Sequence, residues 1–500
     1  MDVLKVKNKN HSVMHITCDF GIAQELSEFF SFFVPGYKFM PAFKNRVWDG
    51  KIRLFNIQTM ELPVGLFPFL YEFAKPRKYQ VEVEHNNYYG QPNSQNDINP
   101  EEIKQFINGL DLHSRGKPIA IRDYQFDAVC EGLHRKRGVL VSPTGSGKSL
   151  IIYALIQRYL LKHQENNKKV LIIVPTTSLV EQMYNDFADY GMPVEDCVHR
   201  IYSGRDKETD KEIVVSTWQS IYKLPPAWFE QFGAVVGDEC HGFKSKSLTT
   251  IMNKCKEASY RWGTTGTLDG SQTHELVLQG LFGKIYNVTT TKKLQDENTL
   301  AKLKINVLLL KHPEEVRKNW GKQDYQAELD YIVRNEARNN LITNLTLDLT
   351  GNTLVLFNYV EKHGKPLFDL IRDKADEKRK VFFVSGQVDT ADREAIRKIV
   401  ESQKNSIVVA SLGTFSTGIN IRNLHNIVFA SPSKSQIRVL QSIGRGLRKS
   451  DDGSVAKLYD IADDLHWKGR KNYTLEHAAE RVKIYTKQEF DYKIYEVDLK

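Results

Sequence analysis

The chain has 500 residues, of which 41% are hydrophobic and 26% charged. This length exceeds what one hydrophobic core supports, so roughly two to four domains are expected, and the composition excludes a mostly disordered chain. Seventy basic residues against 61 acidic ones leave a net charge of +9. That surplus permits a polyanionic partner but does not identify one.

The sequence offers no apolar run near the roughly 20 residues that cross a bilayer, and no signal-peptide stretch at its start. Its five cysteines are scattered and never spaced as CxxC, which disfavours a disulfide framework or a zinc site. We therefore expect a protein of the reducing cytoplasm (the host cytoplasm if it is phage-encoded), with no membrane partner.

Residues 1–84 form the first predicted domain and are dense in aromatic side chains. Between residues 35 and 55, five basic residues face one acid, Asp49, with aromatic residues interleaved; the basic ones are Lys38, Lys44, Arg46, Lys51 and Arg53. Basic side chains neutralise phosphates and aromatic rings stack on bases, which makes this set a candidate nucleic-acid contact. A small domain also needs aromatic residues in its core, so we expect Trp48 and most phenylalanines inside.

The next residues predict a linker and then two similar α/β units. Residues 85–100 contain five asparagines and two prolines, which indicates a linker over 85–120. From about residue 121, short β-branched apolar runs alternate with amphipathic segments, the pattern of βαβ units in a parallel sheet, and this pattern restarts near Leu303. From Thr474 onward, apolar residues at i, i+4 and i+7 predict a helix. Strands are predicted at 138–141, 170–174, 213–216, 234–237, 260–263, 354–357, 381–384, 407–410 and 426–430.

Residues 142–149, with the sequence SPTGSGKS, lie between a predicted strand and a predicted helix. Glycines let backbone N–H groups curl around phosphate oxygens, Lys148 is placed to reach the β- and γ-phosphates, and Ser149 to ligate Mg²⁺. The strict pattern has glycine where this chain has Ser142, so a chance glycine-rich turn is the alternative. The flanking strand and helix favour nucleotide binding, through Thr144, Gly145, Ser146, Gly147, Lys148 and Ser149.

A second motif, Asp238-Glu-Cys-His241, follows another apolar run. The carboxyl ends of parallel strands meet at one sheet edge, so this motif is expected beside the phosphate-binding loop. Asp238 would then hold Mg²⁺, and Glu239 would orient or deprotonate the attacking water. Cys240 and His241 are not expected to bind a metal, because two soft ligands are too few for zinc.

The second α/β unit carries the motif QSIGRGLR at 441–448. Arg445 and Arg448 are three residues apart on a helical segment, and with Gln441 they are candidates to act on the γ-phosphate as arginine fingers. Closure on ATP and opening after hydrolysis would convert chemistry into domain motion. A solvated basic face is the alternative, and it fits poorly with a run interrupted by apolar residues.

In this order and at these spacings, the motifs resemble those of the superfamily 2 helicases and translocases, over nearly all of residues 121–460. The resemblance implies adenine recognition by Arg122 and Gln125, and coupling of hydrolysis to the second unit by Thr265-Gly-Thr267. It places Gly418 at the nucleotide. It also implies nucleic-acid contacts at Thr176, Thr217, Trp218 and Thr417.

The strings at 43–54, 172–177, 217–219 and 415–419, together with the motif DECH at 238–241, resemble the UvsW group of recombination and branch-migration helicases of T-even phages. This resemblance implies an ATP-dependent DNA helicase that uses ATP and Mg²⁺ in recombination, repair and replication. Its expected substrates are Holliday junctions, forks, D-loops and R-loops. The partners would then be branched, single-stranded and duplex DNA, with RNA in R-loops, and the chain would be monomeric or weakly associating.

The predicted fold is α/β, with two tandem RecA-like parallel-sheet domains, a small N-terminal α+β domain and a C-terminal helical extension. Two other functions stay open: a double-stranded DNA translocase or RNA helicase with the same ATPase core, and a nucleotide-gated DNA-binding scaffold that hydrolyses little. The full set of catalytic candidates argues against the scaffold. The predicted domain boundaries are 1–84, 85–120 (linker), 121–300, 301–465 and 466–500.

Overall fold

The computed structural model divides into two compact units, one of Met1–Ser142 with Ser146–Thr289 and one containing Thr290–Lys500. No helix in the described part of the chain is long and apolar enough to cross a membrane. The structure describes residues 3–84, 98–114, 116–143, 145–266, 268, 272–297, 303–320, 324–418, 421, 423–432, 455–469, 472–487 and 489–500.

The N-terminal domain is built on a four-stranded sheet of order β5-β2-β1-β6, in which β1 is antiparallel to β2 and parallel to β6. Strict alternation along β1 buries Leu4 and Val6 and exposes Lys5 and Lys7, as expected for a sheet with one face in the core. A separate two-stranded ribbon pairs β3 with β4. The elements are β1 Val3–Asn8, β2 Val13–Thr17, α1 Phe20–Phe29, β3 Ser31–Phe33, α2 Pro41–Lys44, β4 Lys51–Arg53, β5 Glu61–Pro63, α3 Phe67–Arg77 and β6 Gln80–Glu84.

The predicted linker over 85–120 is wrong for its second half, which contains a helix, α4 Pro100–Asn108, and a short hairpin of β7 His113–Ser114 with β8 Lys117–Pro118. The side chain of Asn99 caps α4 by accepting a hydrogen bond from the backbone N–H of Glu101. Ile103 and Ile107 lie four residues apart on one face and are buried. This i, i+4 pair was obscured by the polar residues that precede it.

The first α/β unit contains a seven-stranded sheet of order β11-β12-β10-β13-β14-β9-β15, and every neighbouring pair is parallel. All five strands predicted for this unit are present. Its strands are β9 Arg137–Val141, β10 Lys169–Val174, β11 Val198–Ile201, β12 Ile213–Thr217, β13 Phe232–Asp238, β14 Tyr260–Thr265 and β15 Ile285–Asn287. Its helices are α5 Asp123–Arg135, α6 Lys148–Lys162, α7 Thr177–Asp189, α8 Val194–Cys197, α9 Trp218–Ile221, α10 Pro226–Phe229, α11 Lys246–Lys254 and α12 Gln272–Phe282.

The N-terminal domain is fixed to the amino edge of this sheet by two buried arginines. Arg137 and Arg261 stand opposite each other at the starts of β9 and β14. Arg261 donates to the Ser12 hydroxyl at 2.7 Å, and Arg137 donates to the carbonyl of His11 at 2.8 Å. Burial lowers the pKa of Arg261 to about 10. In addition, Leu276 of α12 lies in the core of the N-terminal domain, so the two domains share packing.

The second α/β unit contains a seven-stranded sheet of order β18-β19-β17-β20-β21-β16-β22, in which all neighbouring strands are again parallel. The four strands predicted here are present. Its strands are β16 Leu303–Lys311, β17 Thr353–Phe357, β18 Val381–Val384, β19 Ile407–Ser411, β20 Asn426–Phe429, β21 Ala456–Asp464 and β22 Asp491–Asp498. Its helices are α13 Thr291–Asp296, α14 Glu314–Asn319, α15 Tyr325–Arg334, α16 Glu336–Asp348, α17 Lys365–Lys374, α18 Thr390–Ser402, α19 Leu412–Gly418 and α20 Tyr473–Lys487.

The C-terminal segment contains the predicted helix, α20, but the chain does not end in it. The last strand, β22, pairs in parallel with β16 along eight residues and forms the edge of the second sheet. Its sequence, DYKIYEVD, is mostly exposed and has no apolar run, which is why the strand escapes a hydrophobicity pattern. The segment after 465 is therefore part of the second α/β unit and not an appendage to it.

A buried ion pair attaches α20 to the sheet. Arg481 donates through Nε and Nη2 to the carboxylate of Asp460 on β21, at 2.8–3.0 Å. The hydroxyl of Tyr485, one turn further along α20, donates to the same carboxylate at 2.9 Å. Asp460, Arg481 and Tyr485 are all buried, so each charge depends on the other for compensation.

We predict that Arg481→Ala lowers the free energy of unfolding by about 3–5 kcal/mol, because it leaves the Asp460 carboxylate buried without its cation. Urea denaturation measures the change. The matched control is Arg372→Ala, which removes an exposed arginine that pairs with Asp369 and Asp373 on the same helix, α17, and should alter stability little. Equal losses of stability in the two variants would show that the α20 contact is not a structural attachment.

Candidate active site

Three sequence motifs meet at the carboxyl edge of the first parallel sheet. Asp238 at the end of β13 is in register with Thr264 of β14, and Thr265 is in register with Val141, the last residue of β9. The loop predicted to bind phosphate begins directly after Val141. Strand register alone therefore brings together segments that lie more than a hundred residues apart in the chain.

The loop is cross-braced by the residue that departs from the strict pattern. The hydroxyls of Ser142 and Ser146, both buried, are 2.5 Å apart, and the backbone N–H of Ser142 donates to the carbonyl of Thr265 at 2.8 Å. A glycine at position 142 would lack the first contact. Ser142 thus adds a side-chain hydrogen bond to the loop at the position where the strict pattern has a glycine.

Gly147 ends the loop in a conformation that suits glycine, with φ of +80°. A Cβ atom here would lie 2.3 Å from Nε2 of Gln125, so a side chain is excluded on both counts. The carboxamide of Gln125 donates to the carbonyl of Ser146 at 2.7 Å and accepts from the backbone N–H of Arg122 at 2.9 Å. The hydroxyl of Tyr124 donates to the same carbonyl at 3.1 Å. The segment assigned to adenine recognition therefore holds the phosphate-binding loop.

Lys148, the first residue of α6, donates to the Glu239 carboxylate at 2.9 Å. Burial alone would raise the pKa of Glu239, but the Lys148 charge and the neighbouring His241 outweigh it, so this pKa lies below its ordinary value. The backbone of Glu239 is left-handed, with φ of +50°. Non-glycine residues adopt that conformation at a cost of about 1–3 kcal/mol, and such strain is typical of functional sites.

Asp238 accepts a hydrogen bond from the Thr264 hydroxyl at 2.8 Å and is buried. Burial raises its pKa, and the charge of Lys148 offsets part of that rise. The two adjacent carboxyls, Asp238 and Glu239, therefore have pKa values displaced in opposite directions around one ammonium group. Paired shifts of this kind are characteristic of catalytic sites.

His241 connects the end of β13, where both carboxylates lie, to the segment predicted to couple hydrolysis to motion. Its Nδ1 lies 3.0 Å from the Thr265 hydroxyl and 3.3 Å from the second carboxylate oxygen of Glu239. Cys240 points into the core instead, where burial raises the pKa of its thiol well above the ordinary value. His241 thus contacts both Glu239 and the segment predicted to couple hydrolysis to motion.

Ser149 is placed beside α7. Its hydroxyl donates to the Asp186 carboxylate at 2.7 Å. The predicted Mg²⁺ ligands, Ser149 and Asp238, are both hard oxygen donors of the type that this ion prefers. In the described part of the chain, no cluster of three or more histidine, cysteine or acidic residues forms a further metal site.

Several predicted site residues fall outside the described part of the chain. These are Thr144, Thr267, Gln441, Arg445 and Arg448. The structure gives the backbone of Thr417 and Gly418 at the end of α19 and describes nothing of the Thr417 side chain. The roles assigned to all seven residues stay predictions from the sequence.

The predicted nucleic-acid residues of the first α/β unit lie at the carboxyl edge of its sheet. Thr217 ends β12 opposite Val174 of β10, and Thr176 caps α7 by accepting from the backbone N–H of Leu179 at 3.4 Å. Thr217 is almost fully buried and its hydroxyl lies 2.9 Å from that of Ser220. Trp218 packs partly against the core. Thr176 is thus the more accessible hydroxyl of the two.

The basic residues of the N-terminal domain lie on its surface, as predicted, but the expected position of the aromatic residues is only partly right. Trp48 is half-buried, and its indole N–H donates to the carbonyl of Lys51 at 2.8 Å. Phe39, by contrast, is 81% exposed. The exposed basic residues are Lys38, Lys44, Arg46 and Arg53, while Lys51 is half-buried.

Sequence reasoning missed four contacts that define the site. These are the Ser142–Ser146 brace, the hydrogen bond from Thr264 to Asp238, the hydrogen bond from Ser149 to Asp186 and that from Tyr124 to the loop. Thr264 and Tyr124 are next to motif residues, so their proximity was a usable signal. Asp186 carries no such signal, because it lies in the middle of an amphipathic helix.

Three family models match the chain in succession. They are DNA helicase UvsW, N-terminal, over 3–84; Type III restriction enzyme, res subunit, over 118–270; and Helicase conserved C-terminal domain, over 336–450. The first match coincides with the N-terminal domain seen in the structure. The other two span most of the two α/β units.

Full-length relatives agree with these matches. The ATP-dependent DNA helicase uvsW of Enterobacteria phage T4 is 36% identical over 516 residues, which cover both chains completely. The crystal structure of T4 UvsW aligns over both whole chains with a TM-score of 0.52 and 34% identity. A DNA 3'-5' translocase, XPB2 of Sulfurisphaera tokodaii, is 24% identical over 71% of this chain and 84% of its own. The chain belongs to the UvsW family of DNA helicases.

Proposed function

We propose that the protein hydrolyses ATP in order to move and separate the strands of branched DNA, at Holliday junctions, forks, D-loops and R-loops. The observation that carries this proposal is the single sheet edge at which Lys148, Glu239, Asp238 and His241 converge beside the phosphate-binding loop. Membership of a DNA helicase family supports DNA as the polymer. Branched DNA, in turn, suits the exposed basic surface of the N-terminal domain.

In this proposal, phosphate oxygens of ATP compete with Glu239 for the Lys148 ammonium. Glu239, a carboxylate at neutral pH because its pKa is lowered, then accepts a hydrogen bond from the attacking water. Its left-handed backbone holds the carboxylate at the strand end. Ser149 and Asp238 would hold Mg²⁺, which when bound neutralises charge on the β- and γ-phosphates.

His241 positions Glu239 and links it to Thr265, so a change at the γ-phosphate reaches β14 through two contacts. Thr265 belongs to the segment predicted to couple hydrolysis to the second α/β unit. The function of Arg445 and Arg448 as arginine fingers, with Gln441 beside them, belongs to the same proposal. It rests on the resemblance of residues 441–448 to the family motif.

We propose that the exposed basic residues of the N-terminal domain hold one DNA arm through its phosphates. Lys38, Lys44 and Arg46 line one groove, whereas Arg53 is partly neutralised by its ion pair with Asp49. Phosphate contacts position DNA without reading its sequence, which suits an enzyme that acts on branches of any sequence. In the first α/β unit, the hydroxyl of Thr176 and the backbone near Thr217 would contact the phosphates of the DNA strand along which the protein moves.

Lys148→Ala should abolish ATP hydrolysis and junction unwinding while leaving DNA binding within about twofold, because Lys148 contacts phosphate and not DNA. Phosphate release and gel-based unwinding of a four-way junction measure the two activities. Lys162→Ala, an exposed lysine at the other end of the same helix, is the control and should retain both. Undiminished turnover in Lys148→Ala would contradict the proposed mechanism.

Ser142→Ala should raise the KM for ATP about fivefold and change kcat less, since it deletes the hydrogen bond between the Ser142 and Ser146 hydroxyls that braces the loop, at a cost of about 1 kcal/mol. Steady-state kinetics with saturating DNA give both constants. Thr249→Ala removes a hydroxyl of α11 that donates to the backbone carbonyls of Phe243 and Ser245, just before this helix, and serves as the control. An unchanged KM in Ser142→Ala would show that the brace does not shape the loop.

Combined replacement of Lys38, Lys44 and Arg46 by alanine should weaken junction binding. It should also lower the slope of log Kd against log salt by about 1 for each cation that no longer neutralises a phosphate. Fluorescence anisotropy at several salt concentrations measures the slope. The matched control replaces Lys5, Lys75 and Lys104, three exposed lysines elsewhere on the same unit, with the same change in net charge. If both triple variants bind equally weakly, the groove is not a DNA-binding surface.

A further inference from the structure

The loop over residues 34–50, which connects β3 to β4 in the N-terminal domain, is closed at its base and packed from within. Its ends are joined by a hydrogen bond from the backbone N–H of Val34 to the carbonyl of Gly50, at 2.9 Å. Inside it, the Tyr37 ring stacks on Phe33 at 4.7 Å and meets the edge of Phe43 at 4.8 Å. Gly50 has φ of +83°, and a Cβ there would lie 2.2 Å from the Tyr37 ring. The loop is thus packed from within.

This packed loop presents two apolar side chains to solvent. Phe39 and Val47 are each 81% exposed. The domain does not need them for its core, which is already filled by other fully buried aromatic rings, among them Phe30, Phe55 and Phe73. A loop that packs Tyr37 inside but leaves Phe39 exposed is consistent with an external apolar surface that covers the Phe39 ring.

The charged residues of the same loop indicate what that surface is. Lys38, which precedes Phe39 in the chain, lines an open groove of about 510 Å³ together with Lys44 and Arg46. The acid in this groove, Asp49, forms an ion pair with Arg53. Cations in the same loop as an exposed ring fit phosphates that flank a base, because aromatic side chains stack on bases and apolar wedges unstack base steps. In continuous duplex DNA the base faces are covered by stacking. A branch point exposes one.

We propose that Phe39 is the residue that separates strands, by stacking on the base pair at the branch point while the groove cations hold the flanking phosphates. This inference rests on the proposed function, since the motor supplies the movement that brings successive base pairs to the ring. It assigns different functions to the groove and to Phe39 within the N-terminal domain. The groove determines how tightly a junction binds, and Phe39 determines whether its strands part.

The test compares Phe39→Ala with Phe39→Trp and with Phe20→Ala in the full-length protein. Phe20 is 70% exposed in the same domain and lies outside the 34–50 loop, so it controls for the removal of any surface phenylalanine. Phe39→Ala should slow unwinding of a four-way junction about tenfold or more, as expected when one base no longer has its stacking partner, and keep ATP hydrolysis stimulated by single-stranded DNA within about twofold. Phe39→Trp and Phe20→Ala should unwind like the parent.

A second readout reports stacking directly. With 2-aminopurine in the base pair at the branch point, binding of the parent protein should change the fluorescence, and Phe39→Ala should remove most of that change while Phe20→Ala keeps it. Unwinding and fluorescence responses that are unaltered in Phe39→Ala would overturn the inference alone. If the parent protein itself neither hydrolyses ATP with DNA nor unwinds the junction, the proposed function fails instead.

Discussion

The register of three neighbouring parallel strands is the constraint on which the site depends. Because Asp238, Thr264 and Leu140 occupy one row across β13, β14 and β9, the segments that follow these strands emerge side by side. One residue of slip would turn the alternate side chains of a strand to the opposite face of the sheet. The strand register of the sheet therefore sets the relative positions of the site residues, because it fixes where each of the following loops begins.

Electrostatics at this edge is organised around one ammonium group. Lys148 lowers the pKa of Glu239 and offsets part of the rise that burial imposes on Asp238, so two adjacent acids are displaced in opposite directions. His241 extends the arrangement to Thr265. In the proposed mechanism, ATP draws Lys148 away from Glu239 and so changes the environment of both carboxyls at once. That change would reach the segment predicted to couple hydrolysis to motion through His241.

The amino edge of the same sheet binds the N-terminal domain. There Arg137 and Arg261 reach the 11–12 turn of the N-terminal domain with hydrogen bonds to a carbonyl and a hydroxyl. Chemistry and domain attachment thus occupy opposite ends of the same strands. The 34–50 loop belongs to a domain whose core includes Leu276 of α12, so this domain packs directly against the first α/β unit.

Sequence patterns predicted the features that depend on local composition and on the order of neighbouring residues. The strand at Val170–Val174 is buried on both faces and appears as an apolar run, and the phosphate-binding loop has a distinctive order of residues. Patterns failed where a structure depends on distant partners. The edge strand β22 has almost no apolar signature, and α4 follows a strongly polar stretch.

In the site, too, sequence motifs predicted individual residues but not the contacts between distant parts of the chain. Lys148 and Glu239 were assigned from motifs, yet the Ser142 brace and the Asp186 contact join side chains that only the folded chain brings together. Phe39 shows the converse error, because an aromatic residue in a small domain is expected in the core. In the folded domain it is Tyr37 that packs against Phe33 and Phe43 in this loop, and Phe39 is exposed.

The central claim is that DNA branches are what this motor acts on. The most direct measurement is the rate of ATP hydrolysis by the full-length protein with equal nucleotide concentrations of single-stranded DNA, duplex DNA, a four-way junction and RNA. The account predicts strong stimulation by DNA, highest with the four-way junction, and much weaker stimulation by RNA. Stimulation by RNA equal to or above that by any DNA, or hydrolysis that no nucleic acid stimulates, would contradict it.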